Sequence, residues 1–272
     1  MKLFKETDVC VVIPIFKEYL TETESISFRQ CIQILHRYPI LVIKPRSLNQ
    51  ALLPSGITAA IDFDDSYFSG LAGYNRLMLS PEFYGTFAGS YRMMLIYQLD
   101  AFVFEDQLLY WCNKGYDYIG APWPHEVAPP DLFKKVKVKL RHYYAIKTNR
   151  IDRETQLPHR YQFEGSVGNG GFSLRNIQKL YDISVQARET IDRYLSHNHH
   201  HYHEDIFWGV EVNRKQKQLC IPSAGIAKKF SFENFPERLY AENSYQLPFG
   251  CHAWDLHTEF WRPIFKRIGY LI

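Results

Sequence analysis

Asp100 stands out in this sequence because a carboxylate follows an apolar run typical of a buried strand. The apolar residues 93–97 precede it and residues 101–104 follow it, and residues 97–104 read YQLDAFVF. Ligands of α/β sheets bind at the carboxyl ends of strands, so a divalent metal that carries phosphate oxygens would be a fitting partner. An Asp that caps a turn or pairs with a buried Arg is the alternative, and the segment alone favours neither.

Two other motifs set polar residues beside apolar ones. In SVGNGGFSLR, residues 166–175, the run Asn169, Gly170 and Gly171 predicts a flexible turn whose backbone N–H groups can approach a ligand, with a plain hairpin turn as the alternative. In HEDIFWG, residues 203–209, Glu204 and Asp205 precede aromatic residues. Asp205 beside such residues could serve as a general base toward a substrate hydroxyl, whereas helix capping is the structural alternative for both acids.

Histidines occur in two places of interest. The tract 197–203 holds five of them, but contiguous histidines cannot all face one ion, so we expect an exposed helix end and loop there. His252 lies in LPFGCHAW, residues 247–254. A histidine in such a setting is usually structural, unless it meets Asp100 in space, where the two would ligate a divalent ion.

The spacing of apolar residues predicts the elements that position these motifs. Strands are expected at 9–15, 40–43 and 57–63, with an amphipathic helix at 22–36. Further helices are expected at 70–79, 81–85 and 106–114, and an extended segment at 116–119. This order predicts a parallel sheet with crossover helices.

Two basic segments differ from this pattern. Residues 122–162 contain Pro129, Pro130 and the basic run 134–141, and predict an irregular insert whose charges are solvated or approach anionic lipid or a phosphate-bearing acceptor. The C-terminal segment 255–272 mixes basic and aromatic residues, so it could rest on an anionic membrane or pack against the domain. Without a linker or repeat, residues 1–272 are expected to form a single domain.

The composition indicates a globular protein with a substantial core. Of the 272 residues 46% are hydrophobic, and the net charge of +3 does not require nucleic acid as a partner. The five cysteines show no CxxC spacing and cannot all pair within the chain, which favours a reducing compartment. No segment has the length of a signal peptide or membrane span, so we expect a soluble cytoplasmic protein, or one attached to the inner face of the cytoplasmic membrane.

The order of the motifs resembles the GT-A fold of nucleotide-sugar glycosyltransferases. YQLDAFVF, DYIGAPW, VGNGGFSLR, HEDIFWG and LPFGCHAW together are similar to a bacterial family of uncharacterised glycosyltransferase-like proteins from surface-polysaccharide gene clusters. The resemblance implies a Rossmann-like, mixed and mainly parallel sheet flanked by helices. It also implies inverting transfer of a sugar from a nucleotide-diphosphate donor to a saccharide or lipid-linked saccharide, in O-antigen, capsule or lipopolysaccharide synthesis.

The resemblance also implies roles for individual residues. Asp100 would stand at the last acid of the DxD metal motif, with Gln98 in place of its first acid, and His252 would complete a site for Mn²⁺ or Mg²⁺. Asp205, with Glu204 beside it, would match the acid of the xED motif, the general base. The remaining donor-side residues would be Pro14, Phe16, Glu18, Tyr74, Asn75 and Arg76, and those on the acceptor and sugar side Asn169, Gly170, Gly171 and Trp208.

Two other functions compete with this one. A non-catalytic carbohydrate-binding or assembly protein that retains the fold is supported by the missing first acid of DxD. A nucleotidyl or phosphoryl transferase would use the same aspartate, but it should have a phosphate-binding Lys or Gly-rich loop near the first strand, and none is evident.

Overall fold

A computed structural model describes residues 3–127 and 131–272 of the chain. In chain order its strands and helices are β1 (Val9–Pro14), α1 (Glu22–Leu35), β2 (Ile40–Pro45), β3 (Ala59–Phe63), α2 (Gly70–Leu79), α3 (Pro81–Phe87), β4 (Met93–Tyr97), β5 (Phe102–Val103), α4 (Leu108–Cys112), β6 (Tyr118–Ile119), β7 (Ala121–Pro122), α5 (Leu132–Lys147), β8 (Val167–Gly168), β9 (Phe172–Asn176), α6 (Ile177–Gln186), α7 (Arg188–Leu195), α8 (Glu204–Gly209), α9 (Ala224–Phe230), β10 (Ser231–Phe232), α10 (Pro236–Glu242), β11 (Gly250–Cys251) and α11 (Thr258–Arg267).

The central sheet has six strands in the order β3-β2-β1-β4-β9-β6. Strands β1 to β4 pair in parallel, whereas β9 runs antiparallel to both β4 and β6. The parallel strands are joined through helices, as right-handed crossover connections require. The mixed and mainly parallel sheet predicted from the sequence is therefore confirmed.

The sheet is buried on both faces because successive side chains of a strand point to opposite sides. On β1, Cys10 and Val12 join one core cluster, which contains α2, α3, α6 and α8. Val9, Val11 and Ile13 join the cluster on the other face, which contains α1 and α4. This burial on both sides explains why the strands read as continuous apolar runs.

Two short sheets extend the central one. Strands β10 and β11 pair in parallel, and β11 pairs with β5 in the antiparallel direction. Strands β7 and β8 form an antiparallel ribbon in which Ala121 is opposite Gly168.

The predicted helices and strands of the first 119 residues are all present, with ends displaced by no more than two residues.

The insert at 122–162 is not irregular throughout, which corrects the prediction. Helix α5 spans sixteen of its residues, and Asp131 caps it by accepting a hydrogen bond from the backbone N–H of Lys134 at 2.7 Å. The basic run therefore lies on a helix. The spacing of Val136, Leu140 and Tyr144 among the lysines is consistent with this, because they recur every four residues. Pro129 and Pro130 lie outside the described residues.

The C-terminal segment packs against the domain, which was one of the two alternatives for it. Trp261, Ile264 and Phe265 of α11 are buried in a third core cluster with Phe102 and Trp254. Most of its aromatic side chains are therefore buried against the domain and do not face solvent. Among residues 3–127 and 131–272, no helix combines the length and the apolar character needed to cross a bilayer.

Candidate functional site

A cavity of about 580 Å³ opens at the carboxyl ends of β1 and β4. Five of the predicted donor-side residues line it: Pro14, Phe16, Tyr74, Gln98 and Asp100. The turn after β1, the loop after β4 and helix α2 supply them. The volume is typical of small-molecule sites, and the end of adjacent parallel strands is where such sites form in open α/β sheets.

Asp100 and Gln98, which line this cavity, both contact His252, which lies behind its wall. Nε2 of His252 lies 3.1 Å from Oδ1 of Asp100 and 3.2 Å from Oε1 of Gln98. Two residues come from the loop after β4, and the third follows β11, which pairs with β5 just beyond that loop. The backbone N–H of Trp254 also donates to the carbonyl of Asp100, at 3.3 Å, which holds the two segments together.

Glu233 holds His252 from the other side. Nδ1 of His252 donates to Oε1 of Glu233 at 3.1 Å, so the imidazole bridges two carboxylates. Burial by itself would lower the pKa of His252, but Asp100 and Glu233 outweigh it and raise this pKa to about 10. Burial likewise acts to raise the pKa of Asp100, but the charge and hydrogen bond of His252 prevail and lower it.

The predicted glycine turn forms the floor of this cluster. Oδ1 of Asn169 accepts hydrogen bonds from the backbone N–H groups of Gly171 and Phe172, at 2.7 and 3.1 Å, while Asn169 itself adopts a left-handed φ of 91°. A Cβ on Gly171 would lie 1.9 Å from Nε2 of His252. Position 171 must therefore be glycine for His252 to reach Asp100.

Asp205 lies in the first turn of α8. Burial, followed by the negative charges of Glu204 and Glu233, raises the pKa of Asp205 to about 7. The carboxylate is thus poised to exchange a proton near neutral pH, which is what a general base requires. The structure brings it into the same cluster as Asn169, whose backbone contributes to its environment.

Glu204 has a different environment from its neighbour. It is 2% exposed, and its Oε1 accepts a hydrogen bond from Nη2 of the fully buried Arg175 at 2.9 Å. Its backbone N–H donates to Oδ1 of Asn75 at 3.0 Å, which ties α8 to α2. These contacts hold Glu204 and Asn75 in the packing of α8 against β9 and α2, and neither residue lines the cavity, nor does Asp205.

Three buried polar atoms around the site have no hydrogen-bond partner within the described part of the chain. They are the hydroxyl of Tyr74, Nδ2 of Asn169 and Oε2 of Glu204. Buried polar groups are nearly always paired, so unpaired ones indicate a bound water or ligand group. Of these three residues, only Tyr74 lines the cavity.

Three predicted site residues lie elsewhere. Trp208 is fully buried in the core, where its Nε1 donates to the carbonyl of Met78 at 3.3 Å and its ring packs against Tyr84, so the predicted sugar contact is wrong. Glu18 faces a neighbouring cavity of about 590 Å³. Arg76 is exposed, donates to the carbonyl of Ser66 at 2.9 Å and does not line the cavity.

Other residues of the site had not been predicted. Lys17 lines the cavity and pairs with Glu24 at 2.7 Å, and it could have been found because it directly follows Phe16 in the turn after β1. Asp255 also lines the cavity. Glu233 carried no sequence signal, because only its contact with His252 gives it a role.

The histidine tract forms a short 3-10 turn, His200–Tyr202, which is close to the exposed loop predicted. Ring nitrogens of His199, His200 and His201 lie within 4.8 Å of one another. However, Nδ1 of His199 accepts a hydrogen bond from the backbone N–H of His201 at 3.2 Å, so that lone pair is already used. The tract does not reach the cavity.

Comparison with known proteins supports the fold. The family model described as "Protein of unknown function (DUF5672)" matches residues 58–252, and no curated protein matches the chain. Two solved structures of the galactosyltransferase LgtC are similar to it. One, in complex with donor and acceptor sugar analogs, is 16% identical, with 89% of this chain and 86% of that chain covered and a TM-score of 0.52. The other, an active-site mutant of LgtC, is 17% identical with the same coverage and TM-score.

These likenesses are at low sequence identity, and they show that the chain has the GT-A type of fold found in LgtC. The family model covers well over half of the chain. The protein therefore belongs to the family described as protein of unknown function, DUF5672.

Proposed function

We propose that this protein is an inverting glycosyltransferase that moves a sugar from a nucleotide-diphosphate donor to a hydroxyl of a saccharide or lipid-linked saccharide. One observation supports this proposal above all. Asp100 and Gln98 line a cavity at the carboxyl ends of β1 and β4, and both contact His252. The GT-A type of fold supports this assignment, and synthesis of a surface polysaccharide such as O-antigen, capsule or lipopolysaccharide is the process we infer.

A divalent metal fits the residues of the cavity. Glu24, Asp100 and Asp255 line it together with the single lysine Lys17, so a diphosphate would meet more negative than positive charge unless a cation came with it. Asp100 and Nε2 of His252, which would release its proton on binding, would hold Mn²⁺ or Mg²⁺ together with the amide oxygen of Gln98. When bound, such an ion would stabilise the charge of the leaving diphosphate. Glu233 would orient His252, as acidic partners of metal-binding histidines do.

Asp205 is the proposed general base. As its carboxylate takes the proton of the acceptor hydroxyl, the acceptor oxygen forms a bond to the anomeric carbon and the bond from that carbon to the phosphate oxygen breaks. The nucleoside diphosphate leaves from the opposite face, so the anomeric configuration inverts. The raised pKa of Asp205 supports this role.

The proposal is tested by incubating the protein with a panel of nucleotide sugars, with and without Mn²⁺, and measuring the release of nucleoside diphosphate. NMR of the product then determines its anomeric configuration. Asp205→Asn should lower turnover by about 10²-fold or more. The matched control is Asp192→Asn, an exposed aspartate of α7, which should act as the wild type does. Full turnover of Asp205→Asn, or retention of configuration, would contradict the assignment of the base.

The rival function is a carbohydrate-binding protein without catalysis. It predicts that a saccharide raises the melting temperature while no nucleotide sugar is cleaved. Gln98→Asp distinguishes the two further: in a metal-dependent transferase the added carboxylate should strengthen the response to Mn²⁺, whereas in a binding protein it should leave Mn²⁺ without effect.

A further inference from the structure

Helix α5 presents an apolar stripe to the outside of the molecule. Six of its side chains are between 51% and 79% exposed: Leu132, Phe133, Val136, Leu140, Tyr143 and Tyr144. Positions 132, 136, 140 and 143 follow one another at intervals of three or four residues, so these side chains share one face of the helix. We call this face the α5 stripe.

The opposite face of α5 is attached to the domain. Ala145 is buried, and Nδ1 of His142 is hydrogen-bonded with the carbonyl of Tyr161 at 2.9 Å. At the C-terminal end of the helix, Lys147 donates to the carbonyl of Arg214 at 2.7 Å, so that this end is attached as well. The outward direction of the stripe is therefore set by packing on the other side of the helix.

Positive charge surrounds the stripe. Helix α5 contains Lys134, Lys135, Lys137, Lys139, Arg141 and Lys147 and no acidic residue. The nearest acid, its cap Asp131, lies 4.0 Å from Lys134. On a helical projection, positions 135 and 139 fall on one side of the stripe and positions 134, 137 and 141 on the other.

We propose that the α5 stripe docks this protein on an anionic lipid bilayer, with the stripe in the interface and the flanking cations on the lipid headgroups. A helix with an apolar face between rows of lysines is the pattern of interfacial binding. Negative surface potential contributes about 1 kcal/mol for each nearby Lys or Arg. A second copy of the chain is a poorer occupant, because joining two stripes would bring two sets of six cations together.

The stripe is also connected to the acceptor side of the site. The insert starts and ends at the β7–β8 ribbon, and β8 leads directly into Asn169. Oγ of Ser166, just before β8, lies 3.5 Å from Nε2 of His142 on α5. If the proposed function holds, on which this step rests, docking would bring the acceptor side to the membrane, and the acceptor would be an amphiphile carried by the bilayer.

Sedimentation with vesicles tests the docking. The wild type should bind phosphatidylcholine vesicles that contain phosphatidylglycerol, bind pure phosphatidylcholine vesicles far less, and lose binding as salt is added. Lys135→Gln and Lys139→Gln should each weaken binding roughly fivefold. Leu132→Ser with Leu140→Ser should remove most of it. The stripe is exposed, so these variants should keep the melting temperature of the wild type.

Matched controls lie on α6. Val185→Ser and Lys179→Gln also alter an exposed apolar and an exposed basic residue, and they should bind the anionic vesicles as the wild type does. Unchanged binding by the α5 variants, or equal binding of the wild type to both kinds of vesicle, would overturn the proposal. So would a dimer by light scattering that the double serine variant converts to a monomer.

The docking test is independent of catalysis. Asp205→Asn should bind the vesicles as the wild type does, and the double serine variant should release nucleoside diphosphate in solution at the wild-type rate. Loss of vesicle binding in the α5 variants together with absence of transfer in the wild type would support docking while rejecting the transferase.

Discussion

Asp205 combines a functional advantage with a cost in stability. Glu204, Glu233 and burial keep its proton to about pH 7, whereas the same group in the unfolded chain ionises near 3.8. Above pH 7 the folded protein must hold a carboxylate among other acids. Such groups are typical of active sites, where stability is sacrificed for reactivity.

We expect Asp205→Asn to stabilise the protein while it lowers turnover by about 10²-fold or more. The folded-state pKa is raised, so the penalty grows as pH rises from about 4 to 7 and is complete above 7. At pH 8 the variant should gain roughly 2 kcal/mol in the free energy of unfolding by urea, and this gain should shrink as the pH falls toward 4. Asp192→Asn should show no such trend. A variant that is less stable at pH 8 would contradict the environment described for Asp205.

The role of Gly171 follows from the lack of room for a side chain at this position. In Gly171→Ala the new methyl group would meet Nε2 of His252 at 1.9 Å and Oε1 of Gln98 at 2.6 Å. We expect His252 to be displaced from Asp100, the stabilisation by nucleoside diphosphate with Mn²⁺ to be lost, and the unfolding free energy to fall by about 1–3 kcal/mol. Gly225→Ala, whose nearest atom is 3.9 Å away, is the matched control and should change neither measurement.

At the scale of elements, strand β9 and helix α8 are joined by the buried pair Arg175 and Glu204. Nη1 of Arg175 also donates to the hydroxyl of Tyr84 at 2.9 Å, so three elements share one guanidinium group. The backbone of α8 is fixed in turn by Asn75 of α2. This arrangement holds the first turn of α8, and with it Asp205, beside the glycine turn.

Removing one partner of this pair should be costly. Arg175→Met leaves Glu204 buried without its counter-charge, and we expect a loss of about 3–5 kcal/mol in urea unfolding. The double variant Arg175→Met with Glu204→Gln should recover part of that loss, because no charge is then stranded. Additive losses in a double-mutant cycle would show that the two residues do not interact.

At the scale of the whole molecule, the cavity is built from segments far apart in the chain. The turn after β1, the loop after β4, helix α2 and the segment around Trp254 all line it. These segments come together only in the folded protein. A ligand in the cavity would therefore bind the folded state alone and would raise the free energy of unfolding.

Nucleoside diphosphate with Mn²⁺ at about 100 times its dissociation constant should add roughly 2.7 kcal/mol to the unfolding free energy, and therefore about 5–10 °C to the melting temperature. Asp205→Asn should keep this shift, because the proposed base would contact the acceptor and not the nucleotide. Asp100→Ala should lose it. An unchanged shift in Asp100→Ala would place the nucleotide, or its metal, at another site.

Much of the fold could be predicted from the sequence, because buried strands and amphipathic helices leave local periodic patterns. The strands around Val11 and Leu95 and helices α1 and α2 follow directly from such patterns. Helix α5 was missed as a helix because its apolar residues alternate with lysines, so its periodicity was obscured by the charge run.

The sequence alone determined which residues have unusual chemistry for their surroundings: Asp100 after an apolar strand, Asp205 before aromatic residues, and His252 in the apolar segment LPFGCHAW. Only the tertiary structure decided which of them meet. His252 lies 3.1 Å from Asp100, Glu204 turns to Arg175, and Trp208 enters the core. The physical reason is that local propensity is encoded over a few residues, whereas contacts across 152 positions depend on how the sheets pair.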